Sequence, residues 1–355
     1  MQRNRNSGRR DLAAVCCHFN PCHYGSRLRN YWEFRTALAR SAIPLLTVEL
    51  AFAGDAFEIP ADRDVLHIRG GDVMWQKERL LQIGAERLVD QGFQALAFLD
   101  ADIIFDNSDW PAVVKAALER HRVVQCFAEV LVQYSDQVLA ERSGVKCYLE
   151  TGSLAGRVGY AWAMRADLFS RVGLYQHCVV GGGDSMLFLS AVGLASVDSA
   201  WREGLKPHDF IKGTGPAMLS HYRDWADRFL EAAGSEVGYA DLKIATLAHG
   251  PRHNRHYSAR HQILEGFDPT REVAFKPGGA FEWTPSGERR REPVAAYFRT
   301  RDEDRTRRHV PMTPTGDAST CPSHPAARNQ PSCDCEAALR FQGSTASSTV
   351  RRHCR

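Results

Sequence analysis

The sequence predicts an α/β fold with a mostly parallel central sheet that is covered by helices on both faces. Apolar runs of strand length alternate with segments of helical periodicity along the first 130 residues. Parallel strands need long crossover connections, so strands and helices that alternate at this spacing favour a parallel sheet. The composition agrees with a globular protein, since 44% of the 355 residues are hydrophobic and 25% are charged.

The individual elements follow from the pattern of apolar residues. Four runs have the length of buried strands, and they span residues 12–19, 45–52, 65–68 and 95–99. Two helices are predicted from apolar faces, one formed by Tyr31, Phe34 and Leu38 and the other by Leu81, Gly84, Ala85 and Leu88. A third helix is expected to start near residues 107–111, where polar residues precede an early proline.

The chain divides into one folded domain and two polar ends. Residues 1–10 are basic and residues 305–355 are rich in Ser, Thr, Pro and Arg, so we expect both segments to be disordered. Residues 11–304 form the domain, because the apolar segment 294–298 can still pack. Gly-rich segments appear after residue 130. We therefore divide the domain into two halves, residues 11–130 and residues 131–304.

Several classes of protein are disfavoured by the sequence. The net charge of +3 is too small to indicate nucleic-acid or membrane binding. No apolar run approaches the roughly 20 residues that a membrane span needs, and no signal core follows the basic N-terminus. Four of the ten cysteines, Cys16, Cys17, Cys126 and Cys178, lie in apolar segments, so we expect buried, reduced thiols in a cytoplasmic protein.

Two carboxylates at the end of the fourth predicted strand carry the functional hypothesis. Asp100 and Asp102 interrupt an apolar run, where unpaired carboxylates are costly to bury. One intervening residue in an extended chain places both side chains on the same face. Such oxygen ligands suit Mg²⁺ or Mn²⁺, often shared with a phosphate. The alternative is a turn in which the two acids cap the next backbone amides.

A basic segment supplies the second group of candidates. His249 follows a predicted strand over residues 244–248, and a neutral imidazole is a suitable third ligand for Mn²⁺. Arg252, Arg255 and Arg260 have the guanidinium geometry that phosphate oxygens accept. A solvated basic turn is the alternative for this segment.

Three more segments contain candidate residues. Asp184 follows three glycines and leads a predicted helix, where its carboxylate can take a proton from an acceptor hydroxyl or serve only as an N-cap. The loop after the first strand is where a nucleotide commonly binds, and its candidates are Asn20, Arg27 and Arg29, with an ordinary surface loop as the alternative. Lys77 opens the second helix and is a nucleotide contact or part of a solvated helix turn.

Together these segments resemble the nucleotide-sugar glycosyltransferases of the GT-A fold, of family 2 or the galactosyltransferase-like group. Residues 98–105 resemble their Asp-x-Asp motif, and residues 159–165 with 181–184 are similar to their acceptor-side segment. His249 matches the position of a third metal ligand. The resemblance covers residues 11–304 and implies a Rossmann-like domain, with residues 11–130 as the nucleotide-sugar half and 131–304 as the acceptor half.

The resemblance implies a hexosyltransferase that uses Mn²⁺ or Mg²⁺ and moves a sugar from a nucleotide-sugar, most often UDP-linked, to a hydroxyl acceptor. The metal ligands are then Asp102 first and His249 second, while Asp100 ligates through water or holds the ribose. Asp184 is the candidate base. The acceptor segment has Gly-Gly-Gly-Asp where galactosyltransferase relatives carry tryptophan and more acids, so the donor and the base stay open.

Three alternatives remain at the level of sequence. A glucosyltransferase acting on hydroxymethylated DNA bases, of the base J type, has similar motifs, and arginines including 289–291 suit a phosphate backbone. The arginines at 289–291 are interleaved with Glu288 and Glu292, so a solvated face explains this cluster equally. A pyrophosphorylase is disfavoured because no Gly-rich signature follows the first strand. A non-catalytic carbohydrate- or nucleotide-binding module is the third alternative.

Overall fold

A seven-stranded sheet forms the centre of the molecule in the computed structural model, which describes residues 10–195, 215–234, 236–257 and 259–305. Residues 1–10 and 305–355 were predicted to be disordered. Both segments lie outside the described part of the chain, except for residues 10 and 305. The strands are β1 Arg10–Phe19, β2 Leu45–Ala51, β3 Val65–Arg69, β4 Phe93–Leu99, β5 Ile103–Phe105, β6 Val123–Gln125, β7 Glu129–Gln133, β8 Val138–Arg142, β9 Ala161–Arg165, β10 Val237–Tyr239, β11 Lys243–Thr246, β12 Val273–Phe275 and β13 Phe281–Trp283.

The central sheet has the strand order β10-β6-β9-β4-β1-β2-β3. Strand β1 pairs in parallel with β2 and β4, β2 with β3, and β10 with β6. Only β9 runs antiparallel to its two neighbours within this sheet. The predicted α/β fold with a mostly parallel sheet is confirmed.

Helices cover both faces of this sheet. They are α1 Gly25–Leu38, α2 Lys77–Asp90, α3 Trp110–Arg120, α4 Gly144–Thr151, α5 Ala166–Val172, α6 Gly183–Ala191, α7 Pro216–Ala233 and α8 Arg291–Thr300. Along β1 the side chains alternate between two hydrophobic cores, with Ala13 and Val15 in one and Ala14 and Cys16 in the other. Residues of α2, α5, α6 and α7 fill the first core, and those of α1 and α3 fill the second.

The predicted helical faces are the buried ones. Tyr31, Phe34 and Leu38 of α1 are buried, as are the four predicted residues of α2. Gly84 is required in α2 because a Cβ there would come within 2.6 Å of Val15 on β1. The third helix begins with Trp110 and the predicted early proline. Within the described residues no helix is both long enough and apolar enough to cross a membrane.

A smaller four-stranded sheet, in the order β5-β11-β7-β8, sits beside the segment that follows β4. Strand β11 pairs antiparallel with β5, which follows the two predicted carboxylates directly. The Leu247 amide, just after β11, donates a hydrogen bond of 2.7 Å to the Asp102 carbonyl. This pairing brings the predicted histidine to the carboxylates from about 150 residues away in sequence.

Candidate active site

A cavity of about 910 Å³ lies beyond the carboxyl ends of β1 and β4, which is where ligands bind in open α/β sheets. Its walls come from the end of β1, the segment after β4, the loop before β9, the start of α6 and the segment after β11. Most of the predicted site residues line it: Arg27, Lys77, Asp100, Asp102, Asp184, His249, Arg252, Arg255 and Arg260.

Lys77 links the segment after β4 to the start of α6 inside this cavity. Its Nζ lies 2.6 Å from Asp100 Oδ1 and 2.8 Å from Asp184 Oδ2, and its side chain is only 10% exposed. Burial disfavours the ammonium, but the charges of Asp100 and Asp184 outweigh burial and raise the pKa of Lys77 well above its ordinary value. The alternative of a solvated helix turn at Lys77 is therefore wrong, because the residue is a buried cation between two carboxylates.

Asp184 reaches Lys77 because α6 begins immediately beside it. Gly181 and Gly182 have φ angles of 90° and 106°, a left-handed conformation that glycine adopts without strain. The helix then starts at Gly183, so Asp184 lies in its first turn, as predicted. The N-cap residue is Gly182, and the carboxylate of Asp184 accepts hydrogen bonds from Lys77 instead of capping the helix.

Glu78 is a buried acid that the sequence analysis missed. Neither of its carboxyl oxygens has a hydrogen-bond partner among the described residues. Burial, reinforced by the charges of Asp184 and Asp100 and opposed by Lys77, raises the pKa of Glu78 to about 8. Gly183 leaves the space for this carboxyl, since a Cβ there would lie 2.2 Å from Glu78 Oε1. The sequence signal was its place beside Lys77 at the start of an apolar helix.

The two carboxylates after β4 point in different directions. Strand β4 ends at Leu99, so residues 100–102 form a turn and the alternation of side chains along a strand no longer applies. Asp100 faces Lys77, whereas Asp102 Oδ2 lies 3.2 Å from His249 Nε2. The prediction that both carboxylates share one face is therefore wrong.

The pair of Asp102 and His249 has the chemistry of a cation site. His249 Nδ1 donates to the Leu247 carbonyl at 3.0 Å, which leaves the Nε2 lone pair directed at Asp102. Burial and the charge of Arg255 lower the pKa of His249 to about 4, so the imidazole is neutral at pH 7. A cation bound by both groups would satisfy a lone pair that faces a carboxylate. Asp102 Oδ1 is also buried without a hydrogen-bond partner among the described residues.

Two ligands, not three, are therefore offered to a metal. The described residues contain no group of three His, Cys, Asp or Glu side chains arranged to hold a metal ion. Asp100 is separated from the predicted set because Lys77 neutralises it. Asp102 and His249 fit Mg²⁺ or Mn²⁺, since such ions are commonly held by one or two protein groups together with substrate phosphates and water.

The part of the cavity wall that follows His249 in the chain is basic. Arg252 is exposed, and Arg260 Nη1 donates to the Tyr297 hydroxyl at 3.1 Å. Neither arginine is paired with a carboxylate of the described residues, so both charges are available to an anion. Arg255 is buried, donates from Nη2 to the His249 carbonyl at 2.5 Å, and thereby ties the basic wall to the pair of Asp102 and His249.

Two predicted nucleotide contacts do not line the cavity. Asn20 Nδ2 donates to Glu58 Oε1 at 2.9 Å and to the Tyr24 carbonyl, so this side chain holds the loop after β1. The side chain of Arg29 is 66% exposed and its Nη2 lies 4.0 Å from Asp304 Oδ1. The loop is in the expected place, but the side chains of Asn20 and Arg29 are turned toward the protein or the solvent, whereas Arg27 lines the cavity.

The wall formed by the loop before β9 contains a tyrosine, Tyr160, that was not among the predicted site residues. Tyr160 has a φ of 80°, which is rare for a residue with a side chain and is typical of strained backbone at functional sites. Its carbonyl accepts a hydrogen bond of 2.8 Å from the Asp100 amide. Tyr134 and Tyr257, whose hydroxyls are 3.3 Å apart, line the same wall. In the sequence, the feature that could have indicated Tyr160 is its position just after Gly159 and before β9.

The arginines at 289–291 belong to the protein interior and to surface ion pairs. Arg290 is buried and its Nε lies 2.6 Å from Glu272 Oε2, while Arg289 pairs with the same carboxylate at 3.1 Å. Arg291 pairs with Glu288 and with Asp72. These charges are compensated within the chain, so they give no support to a phosphate-backbone ligand.

In comparisons of the sequence with known proteins, no family model and no curated protein matches the chain. Among solved structures, the catalytic domain of Drosophila β1,4-galactosyltransferase 7, in complex with xylobiose, is 11% identical, with a TM-score of 0.29 over 51% of this chain. The match spans 60% of that domain, so the chain covers less than two thirds of it.

Two bacterial structures are similar to the same extent. A putative nucleotide-diphospho-sugar transferase from Desulfovibrio desulfuricans G20 is 11% identical, with a TM-score of 0.32 over 67% of this chain and 82% of that one. A putative glucose-1-phosphate thymidylyltransferase from Bacillus anthracis is 10% identical, with a TM-score of 0.33 over 73% and 96%. At these scores the likenesses carry no argument about chemistry, which rests on the residues of the site.

Proposed function

We propose that this protein is a metal-dependent glycosyltransferase that moves a sugar from a UDP-linked donor to a hydroxyl group of a saccharide. The observation that carries the proposal is the pairing of Asp102 with a neutral His249 at the carboxyl edge of a mostly parallel sheet. The order of the sequence motifs supports it.

In this proposal Asp102 and His249 would hold Mn²⁺ or Mg²⁺. A divalent ion bound there would supply Lewis-acid neutralisation of the charge that the departing diphosphate gains. Arg252 and Arg260, which line the same cavity and have no carboxylate partner among the described residues, would bind phosphate oxygens. The donor is thus held by fixed positive groups on one side of the cavity.

Asp184 is the proposed general base for the acceptor hydroxyl. It lines the cavity, and Lys77 bridges it to Asp100. A carboxylate so placed accepts the hydroxyl proton while the oxygen attacks the anomeric carbon. A single displacement of this kind inverts the anomeric centre.

The test is hydrolysis of UDP-glucose and UDP-galactose, measured as release of UDP with and without Mn²⁺. A glycosyltransferase slowly transfers its sugar to water, whereas a binding module releases no UDP. We expect Asp102→Asn to abolish the Mn²⁺-dependent release. Asp106→Asn is the matched control, because Asp106 is exposed, follows β5 and does not line the cavity.

Two results would contradict the proposal. One is donor hydrolysis that is equal with Mn²⁺ and with EDTA, and the other is full activity of Asp102→Asn. Absence of UDP release from either donor, together with tight binding of the intact nucleotide-sugar, would instead identify a non-catalytic module.

A further inference from the structure

Three arginines from distant parts of the chain converge on one buried carboxylate. Glu303 is completely buried; its Oε2 lies 2.6 Å from Arg27 Nε, and its Oε1 lies 2.5 Å from Arg301 Nε and 3.4 Å from Arg255 Nη1. Arg301 and Arg255 are also buried, and the side chain of Arg27 is 17% exposed. A cluster of three guanidinium groups and one carboxylate keeps an excess of two positive charges.

These charges adjoin the cavity. Arg27, Arg255 and Arg301 all line it, whereas Glu303 lies behind them and does not. The Nε of Arg255 is buried and has no hydrogen-bond partner among the described residues. Burying an uncompensated charge is costly, so a cluster with this excess is suited to an anion that enters the cavity.

The segment that carries Glu303 is anchored on both sides. Asp304 accepts hydrogen bonds from the amides of Gly25 and Ser26, at 2.9 and 2.7 Å, at the start of α1. Across the segment, Gly250 packs so closely that a Cβ there would lie 3.0 Å from the Arg301 carbonyl. The three arginines are therefore fixed in place before any ligand binds, which lowers the entropic cost of binding.

We propose that Arg27, Arg255 and Arg301 form a binding site for a phosphate-class anion, with Glu303 as the internal counter-ion that holds the three guanidinium groups together. The site deepens the proposed function and rests on it in one respect, since the donor's diphosphate is the anion that the cavity would present. Guanidinium groups match phosphate oxygens in charge and geometry. The site requires no metal.

The test is binding of inorganic pyrophosphate in the presence of EDTA, followed by calorimetry and by the melting temperature of the full chain. Arg27→Gln removes one cation but leaves Glu303 paired with the other two, so the fold is retained. We expect it to weaken pyrophosphate binding by about tenfold or more.

A second variant separates this role from a purely structural one. Glu303→Gln leaves three cations without their counter-ion, so it lowers the melting temperature in anion-free buffer and strengthens pyrophosphate binding by about threefold or more. Asp302→Asn is the matched control. It removes a neighbouring negative charge that is half-exposed and, within the described part of the chain, is paired only with Arg305, at 4.0 Å, so binding stays within about twofold of the wild type.

The inference is overturned if Arg27→Gln binds pyrophosphate within twofold of the wild type, or if Glu303→Gln binds it more weakly. This failure is distinct from failure of the proposed function. A protein that binds pyrophosphate through these arginines but never releases UDP from a nucleotide-sugar would retain the anion site and lose the transferase assignment.

Discussion

Replacing Glu78 with glutamine is expected to remove a large part of the pH dependence of stability. The carboxyl is buried behind Lys77 and against Gly183, with no hydrogen-bond partner for either oxygen among the described residues. Glutamine has nearly the same shape but does not ionise. The comparison of the two proteins over pH therefore isolates the cost of the buried charge.

The sign follows from the direction of the pKa change. Burial raises the pKa of Glu78 from 4.5 to about 8 in the folded protein, so the folded chain binds more protons than the unfolded chain between these values. Stability is then lost as the pH rises from about 4.5 to about 8. At about 1.4 kcal/mol for each pKa unit, the loss is on the order of 5 kcal/mol across that window.

The assay is urea denaturation of the wild type and Glu78→Gln at several pH values between 4 and 9. We expect the difference in the free energy of unfolding to favour the variant increasingly as the pH rises through this range. Glu86→Gln is the control, because Glu86 is exposed on the same helix. Parallel pH curves for the wild type and Glu78→Gln would refute the reasoning.

Three further changes test other parts of the site. Lys77→Met leaves two carboxylates without their cation and is expected to cost about 3–5 kcal/mol of stability in urea denaturation, whereas the exposed pair broken by Lys115→Met costs less than about 1 kcal/mol; equal costs would contradict a buried bridge. Gly183→Ala places a methyl group against Glu78, so it should cost about 1–3 kcal/mol and reduce UDP release; a fully active, fully stable variant would contradict the packing. His249→Gln should raise the Mn²⁺ concentration for half-maximal UDP release at least about tenfold, and an unchanged metal requirement would exclude it as a ligand.

The fold was predictable because local patterns decide it. The runs 12–19, 45–52, 65–68 and 95–99 are apolar at strand length, and each became a strand of the central sheet within a few residues. The insertion of antiparallel β9 between β4 and β6 was not predicted, because its pairing depends on contacts that are distant in sequence. A short apolar run does not specify which neighbour it pairs with.

The positions of the candidate residues in the fold were predictable, but their pairing was not. Asp100 and Asp102 lie at the edge of the sheet, as expected, yet the turn after Leu99 separates their directions. The partner of Asp100 is a lysine from the start of α2, and the sequence alone does not show that this lysine is buried. Glu303 was missed for a similar reason, because its three arginines meet only in the folded chain.

The most direct test of the central claim is the melting temperature of the protein with UDP, GDP or TDP, each with Mn²⁺ and with EDTA. A ligand that binds the folded state raises the melting temperature by mass action. We predict a rise with UDP that is larger in Mn²⁺ than in EDTA and that loses its Mn²⁺-dependent part in Asp102→Asn. No rise with any of the three nucleotides, or a rise of equal size with and without Mn²⁺, would contradict a metal and diphosphate site at Asp102 and His249.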